Sequence, residues 1–226
     1  MPNIYTQAST QRSQFAKRLA EIYLTFKEIL LTLGYADEID WQQTRRLEAI
    51  TESDFMTEAS WVILSAGLSN LVVERVFPKI SEAYHWWTSA SKVANNTQIC
   101  EKRSLSIFRN PRKINALSQM CVKICDIGFN KIIINLIEIG PSYLSIFPFI
   151  GPVTSLHLAK NLGYDVVKPD RHLVRISDAA GFDTPHELCS KIAEITNERL
   201  SVIDLVLWRY ATLHNNYLEP FRRLRF

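Results

Sequence analysis

Cysteine, glycine and long apolar runs are all scarce in this 226-residue chain, and each shortage closes off a class of protein. The four cysteines (Cys100, Cys121, Cys125, Cys189) form no paired doublet. A disulfide framework is therefore not expected, nor is a metal held by side chains, since zinc and iron–sulfur sites need a tighter ligand cluster. Cys121 and Cys125 stand four apart, a spacing that stacks them on one helix face as small hydrophobes. The most apolar stretch, 132–139, is interrupted by Asn135 and Glu138 and is too short to span a bilayer. The opening MPNIYTQAST lacks a basic segment followed by an apolar core, so no secretory signal is expected. The expected compartment is the cytoplasm (in association with the nucleoid in a bacterium), with no membrane partner. Sustained period-two alternation is missing, which argues against a sheet. There is no internal repeat, low-complexity tract or Pro/Gly/Ser linker, so a two-lobed architecture would have to be built by helices crossing between lobes.

What is present is an ordinary globular composition, 47% apolar and 22% charged, with an uneven distribution of charge. From Lys102 to Arg175 there are eleven Lys/Arg against four acids, a local +7 in a chain whose net charge is +3. A basic centre in an otherwise slightly acidic chain suits a polyanionic partner. Nearly every segment carries helical periodicity. Phe15, Leu19, Ile22, Tyr23, Phe26, Ile29, Leu30 and Leu33 follow the three–four spacing of one buried face, and Gly34 is placed to end that helix. A helix is expected from about Asp54 behind a Ser53 cap to Gly67. Others are expected behind Asn110-Pro111, running to Gly128, behind the capping box Thr184-Pro185-His186-Glu187, and from about Leu200 to Leu213. The aromatic run Tyr84-His85-Trp86-Trp87 is expected to pack between helices. The fold class is all-α.

The informative stretch runs from Pro141 to Arg175. A short helix is expected to end at Phe147-Pro148, a tight turn follows at Phe149-Ile150-Gly151, and a second helix begins at Pro152, passes Thr154 and stops at Gly163. Backbone N–H groups at the start of the second helix, together with its dipole, can hold a phosphate. Seven residues past Gly163 stands Asp170, followed by Arg171, His172 and Arg175.

In these residues the chain resembles the helix-hairpin-helix DNA glycosylase superfamily. Phe147-Pro148-Phe149-Ile150-Gly151 is similar to its Leu-Pro-Gly-Ile-Gly hairpin, and Asp170-Arg171-His172-Leu173-Val174-Arg175 to the Asp-x-His-φ-φ-Arg segment of the endonuclease III branch, φ being apolar. Leu64-Ser65-Ala66 and Phe108-Arg109-Asn110 agree with two further stretches, so the resemblance covers roughly 54–177. It implies two helical lobes with a DNA-binding cleft. One lobe spans 54–165 with the hairpin motif at about 141–162; the other is formed by 1–53 plus 166–226, with Asp170 at the cleft.

The resemblance also implies a reaction. A base inside a duplex is inaccessible, so such an enzyme grips the backbone, extrudes the nucleotide and fills the gap. Asp170 would be the carboxylate that stabilises charge on the sugar and orients water; the same residue type in that position also suits a helix cap. Phe149, Ile150, Gly151, Val153 and Thr154, with Lys168 and Arg171, would contact the DNA backbone. Lyase-competent members carry a lysine where this chain has Val153, so no Schiff base to C1′ and no strand nicking are expected. The iron–sulfur cysteines of endonuclease III are missing as well. The first hairpin glycine is Phe149 here, and a left-handed conformation is strained for a residue with a side chain; this ring could press against a DNA sugar or pack on the hairpin. No cofactor is expected beyond a monovalent cation at the hairpin.

Trp61 is either a surface on which an extruded base stacks or a core tryptophan, and Glu58, one turn earlier, reads a base edge or faces solvent. Leu68 is a wedge into the helix or an ordinary turn residue. Arg109, Arg112, Lys113, Arg222, Arg223 and Arg225 are candidates for non-specific contacts. The expected protein is thus a monomeric, monofunctional DNA glycosylase acting on a damaged, mispaired or modified base, in repair or against modified phage DNA, with double-stranded DNA as partner. The alternatives are a non-catalytic helix-hairpin-helix DNA-binding protein and a helical interaction protein unrelated to DNA.

Overall fold

A computed structural model describes the backbone of residues 4–225 and the side chains of 13–69 and 71–224. Among the described residues every regular element is helical: α1 (Ile4–Thr32), α2 (Ala36–Thr44), α3 (Glu52–Ser65), α4 (Asn70–Ala83), α5 (Ala90–Ala94), α6 (Thr97–Ile107), α7 (Pro111–Ile127), α8 (Phe129–Ile139), α9 (Pro152–Asn161), α10 (Arg171–Ala180), α11 (Pro185–Thr196), α12 (Leu200–Leu213) and α13 (Glu219–Arg222), with short 3-10 segments. No described helix is long and apolar enough to cross a membrane. Two compact units result: a terminal unit, Met1–Arg45 with Asp165–Phe226, and a middle unit, Arg46–Tyr164. The segment 46–53 falls in the middle unit, where the Glu52 carboxylate accepts the Ala90 N–H that opens α5 (2.9 Å).

In the terminal unit α1 buries Ala16, Leu19, Ala20, Tyr23, Phe26 and Leu30, the face that the three–four spacing marks out. Leu33, assigned to the same face, is instead exposed. The helix has ended at Thr32, and the chain leaves through Gly34 (φ 90°), with Tyr35 N–H on Leu30 O (3.0 Å) and Gly34 N–H on Leu31 O (3.2 Å). At the centre lies α12, whose residues 201–207 are all buried and which packs against α1, α2, α10 and α11. The buried Tyr23 hydroxyl donates to Glu198, whose other oxygen takes the Lys27 ammonium (2.7 Å). Burial, reinforced by that carboxylate, pushes the Tyr23 phenol up, so it remains a donor.

In the middle unit α3 starts two residues earlier than its sequence suggests. Thr51, not Ser53, is the cap, because Asp54 stands at the third helical position and returns the bond. Asp54 N–H donates to Thr51 Oγ1 (3.1 Å) and Thr51 N–H to Asp54 Oδ2 (3.0 Å). Asn110 Oδ1 takes Lys113 N–H (3.2 Å) ahead of Pro111, and Gly128 (φ 89°) ends α7. The segment before the hairpin is a 3-10 turn, Pro141–Ile146, rather than a short α-helix.

After α4 the chain makes three successive left-handed residues, His85, Trp86 and Trp87 (φ 55–58°). They send Trp87 inward, stacked on Tyr84 (4.8 Å between centroids) with its indole N–H on Ser81 Oγ (2.8 Å). They also turn Trp86 outward, 59% exposed, so the expectation of an aromatic run packed throughout between helices fails for Trp86. Cys100, Cys121 and Cys189 are buried free thiols, whereas Cys125 faces solvent.

Replacing Tyr23 by Phe would leave Glu198 with Lys27 but without its phenol donor. Unfolding in urea should show a loss of about 1–2 kcal/mol; an unchanged midpoint would mean that the bond adds nothing to stability.

Candidate functional site

The hairpin of the middle unit is built around a tight turn in which Ile150 N–H donates to Phe147 O (3.2 Å). Pro148 holds the second position and Phe149 the third, at φ 62°, the layout of a type II turn in which the third residue is ordinarily glycine. Phe147 and Ile150 anchor the turn from below. Phe147 is 2% exposed with its ring 5.4 Å from that of Phe55 on α3, and Ile150 is 4% exposed. Ile150, a candidate for backbone contact, thus has its side chain in the core and its amide spent on the turn. Phe149 and Val153 project outward, each 43% exposed. The Thr154 hydroxyl accepts Gly151 N–H (2.6 Å) and faces the carbonyls of Gly151 (3.2 Å) and Phe149 (3.3 Å), locking the turn onto the helix. The first i−4 bond of α9 runs from Ser155 N–H to Gly151 O (2.8 Å), so the amides of Val153 and Thr154 precede the ladder, at the positive end of the helix.

Beneath the hairpin lies a residue that the sequence placed at the surface. Lys113 is 5% exposed, and its Nζ donates to the carbonyls of Ile63 (2.8 Å), Leu64 (2.5 Å) and Ala66 (2.6 Å). These are carbonyls of the last turn of α3 and its exit, which lack intrahelical donors, so the ammonium caps the helix with all three of its protons. Burial pushes Lys113 down to about 8, against the pull of those carbonyls. Nζ also lies 5.9 Å from the Phe149 ring centroid. A helical-wheel count would have found this residue, since Lys113 shares its face with Leu117, Met120 and Ile124, all buried.

The base-reading candidates are distributed along α3 and the turn after it. Glu58 is partly buried and does not stand free: its Oε2 accepts Asn161 Nδ2 of α9 (2.9 Å). Trp61 is half-buried, edge-on to Phe77 of α4 (5.2 Å, 78°). Leu68 is 37% exposed, and the neighbouring Leu71 (73%) and Val72 (41%), which sequence reasoning passed over, project further.

Lys168, Asp170 and Arg171 belong to the terminal unit and share the entry to α10. The extended segment before that helix is pinned to α12 at two points: Asp165 Oδ1 accepts Ser201 N–H (2.9 Å), and the buried Asp204 accepts Lys168 N–H (2.6 Å). Asp204 went unnoticed in the sequence because an acid within an apolar helix gives no clue to its partner. Asp170 caps α10, its Oδ1 accepting from His172 N–H (2.8 Å) and Leu173 N–H (3.1 Å). Asp170 is partly exposed, and no hydrogen bond falls on Oδ2 among the described residues. Exposed Arg171 donates Nε–H to His172 Nε2 (3.3 Å). His172 Nδ1 is buried without a partner, and the ring stands edge-on to Tyr217 (5.6 Å). Burial pushes His172 down, opposed by Asp170. Among the described residues no group of three His, Cys, Asp or Glu could hold a metal ion.

No protein family, curated protein or solved structure matches the chain.

Two outcomes follow from these burials. Lys113→Met strips three carbonyls of their donor and should lower stability by about 2–4 kcal/mol in denaturant unfolding; a loss under about 0.5 kcal/mol, the range of ordinary surface substitutions, would refute the capping role. Because His172 titrates below its ordinary value of 6.5, the unfolded chain binds more protons than the folded one at acidic pH. Its contribution to stability is therefore present above pH 6.5 and falls as the pH drops through and below that value. Comparing wild type with His172→Phe at pH 7 and pH 5 should show a smaller acid loss in the variant.

Proposed function

We propose that the chain is a monofunctional DNA N-glycosylase of the helix-hairpin-helix kind, which hydrolyses the bond between deoxyribose and an extruded base. The observation that carries this reading is the divided carboxylate of Asp170. One oxygen is held by two backbone amides, which orients the group, while the other makes no hydrogen bond among the described residues. A carboxylate fixed in this way can stabilise positive charge developing at C1′ and align a water for attack on that carbon, the base departing with its bonding electron pair. The amides of Val153 and Thr154 and the dipole of α9 are suited to a backbone phosphate. Val153 supplies no amine, so the product is an intact abasic site rather than a nicked strand. The carbonyls of Phe147 and Phe149 each keep a second lone pair beyond the one donor they already face, a pair of acceptors compatible with a monovalent cation.

The cap geometry of Asp170 by itself favours a second reading, a DNA-binding module without chemistry. Asp170→Asn separates the two, because asparagine keeps Oδ1 as acceptor and caps a helix as well as aspartate does. Duplexes carrying one altered base each would be incubated with protein and treated with alkali to reveal abasic sites. Base release should fall by roughly 10²–10⁴ in the variant, while DNA binding, weakening with salt in both proteins, persists. If wild type released no base across a broad panel, the enzymatic reading would fall; if it bound no DNA, both readings would.

A further inference from the structure

Phe149, like Trp86, is a left-handed aromatic residue that stays partly exposed. A side chain at φ 62° is strained, and glycine in the third turn position would not be. Burial does not compensate, since the residue is 43% exposed. Full burial is thus not what offsets the strain of a phenylalanine here. The strain is nevertheless well supported: Thr154 holds the Phe149 carbonyl, and the Lys113 ammonium, fixed by three carbonyls of α3 and its exit, stands 5.9 Å from the ring centroid. The sequence around Lys113 is basic. Exposed Arg109 and Arg112 lie four and one residues before Lys113, and neither α7 nor α9 has an acid in its first turn. An exposed ring beside a cation, on a unit with a basic stretch of chain, favours a polyanion that also offers a flat π face.

We infer that Phe149 is a stacking residue for an unstacked nucleotide, held in place by Lys113 as a positioning residue, and that it directs the hairpin to locally opened DNA in preference to intact duplex. The inference rests on the reading of this unit as DNA-binding and does not depend on base release. In an intact duplex every base face is already covered by its neighbours, so the ring could meet only sugar edges. At a bulge or an extruded site a base face is free, and stacking on an aromatic side chain is tolerant of sequence.

The test compares an intact duplex with the same duplex carrying a two-nucleotide bulge, using fluorescence anisotropy at one fixed salt concentration, for wild type, Phe149→Gly and Phe149→Leu. Wild type should prefer the bulged duplex. In both variants the ratio of the two affinities should fall about tenfold, and Phe149→Gly, relieved of strain, should melt no lower than wild type. In a double-mutant cycle Lys113→Met should reduce the ratio when Phe149 is present and leave it unchanged in the Phe149→Gly background, which a merely structural lysine would not do. If Lys113→Met does not fold, the glycine and leucine variants decide the stacking role alone. A wild type without preference, an equal loss on both duplexes, or a Phe149→Gly protein that melts lower yet keeps its preference would each overturn the inference. Binding with preference but without base release would leave it standing and remove only the enzymatic reading.

Discussion

The buried ammonium of Lys113 ties the end of α3 to α7 and the hairpin turn in the middle unit. Lys113 leaves the first turn of α7, crosses to the end of α3 and takes three carbonyls there with its three protons. A helix end inside a protein must find donors for its last carbonyls, and three carbonyls converging on one point have few partners other than a lysine head. The arrangement sets where α3 stops, and hence where the turn carrying Leu68 and the outward Leu71 and Val72 begins. It also places a fixed positive charge next to Phe149 in the hairpin. Two surface features far apart in sequence thus share one internal anchor, and Lys113 is close to irreplaceable because any shorter or apolar side chain would leave buried acceptors unpaired.

The terminal unit uses carboxylates in the complementary way. Its extended segment from Asp165 to Asp170 has no ladder to hold it, and two side-chain bonds with α12, through Asp165 and Asp204, take that place. With the segment fixed, Asp170 arrives at the head of α10 with one oxygen engaged by amides and the other without a hydrogen bond among the described residues. The cap and the proposed chemistry are therefore not competing explanations of the residue, since the first orients the carboxylate for the second.

Much of the helical plan could be read in the chain because its signals are local. The cap at Asn110-Pro111, the stop at Gly128, the limits of α12 and the turn through Gly34 all depend on residues within one helical turn of one another. Thr51 was missed in favour of Ser53 because both can cap, and only the reciprocal bond from Asp54 discriminates. Trp86 was misjudged because apolar character alone does not reveal a left-handed backbone that turns one indole inward and its neighbour outward. Glu58 and Lys113 looked like surface charges because their partners, Asn161 and the carbonyls of α3 and its exit, are remote in sequence.

The sequence by itself determined the helical class, most helix limits, the position of the hairpin turn and the candidacy of Asp170, since these follow from periodicity, capping chemistry and the conformational limits of proline and glycine. Tertiary structure alone decided which charges are internal, that Phe149 keeps the left-handed conformation a glycine would adopt without strain, and which oxygen of Asp170 caps α10. The reason is physical: burial and hydrogen bonding over long sequence separations depend on which surfaces meet, and no local pattern encodes that meeting.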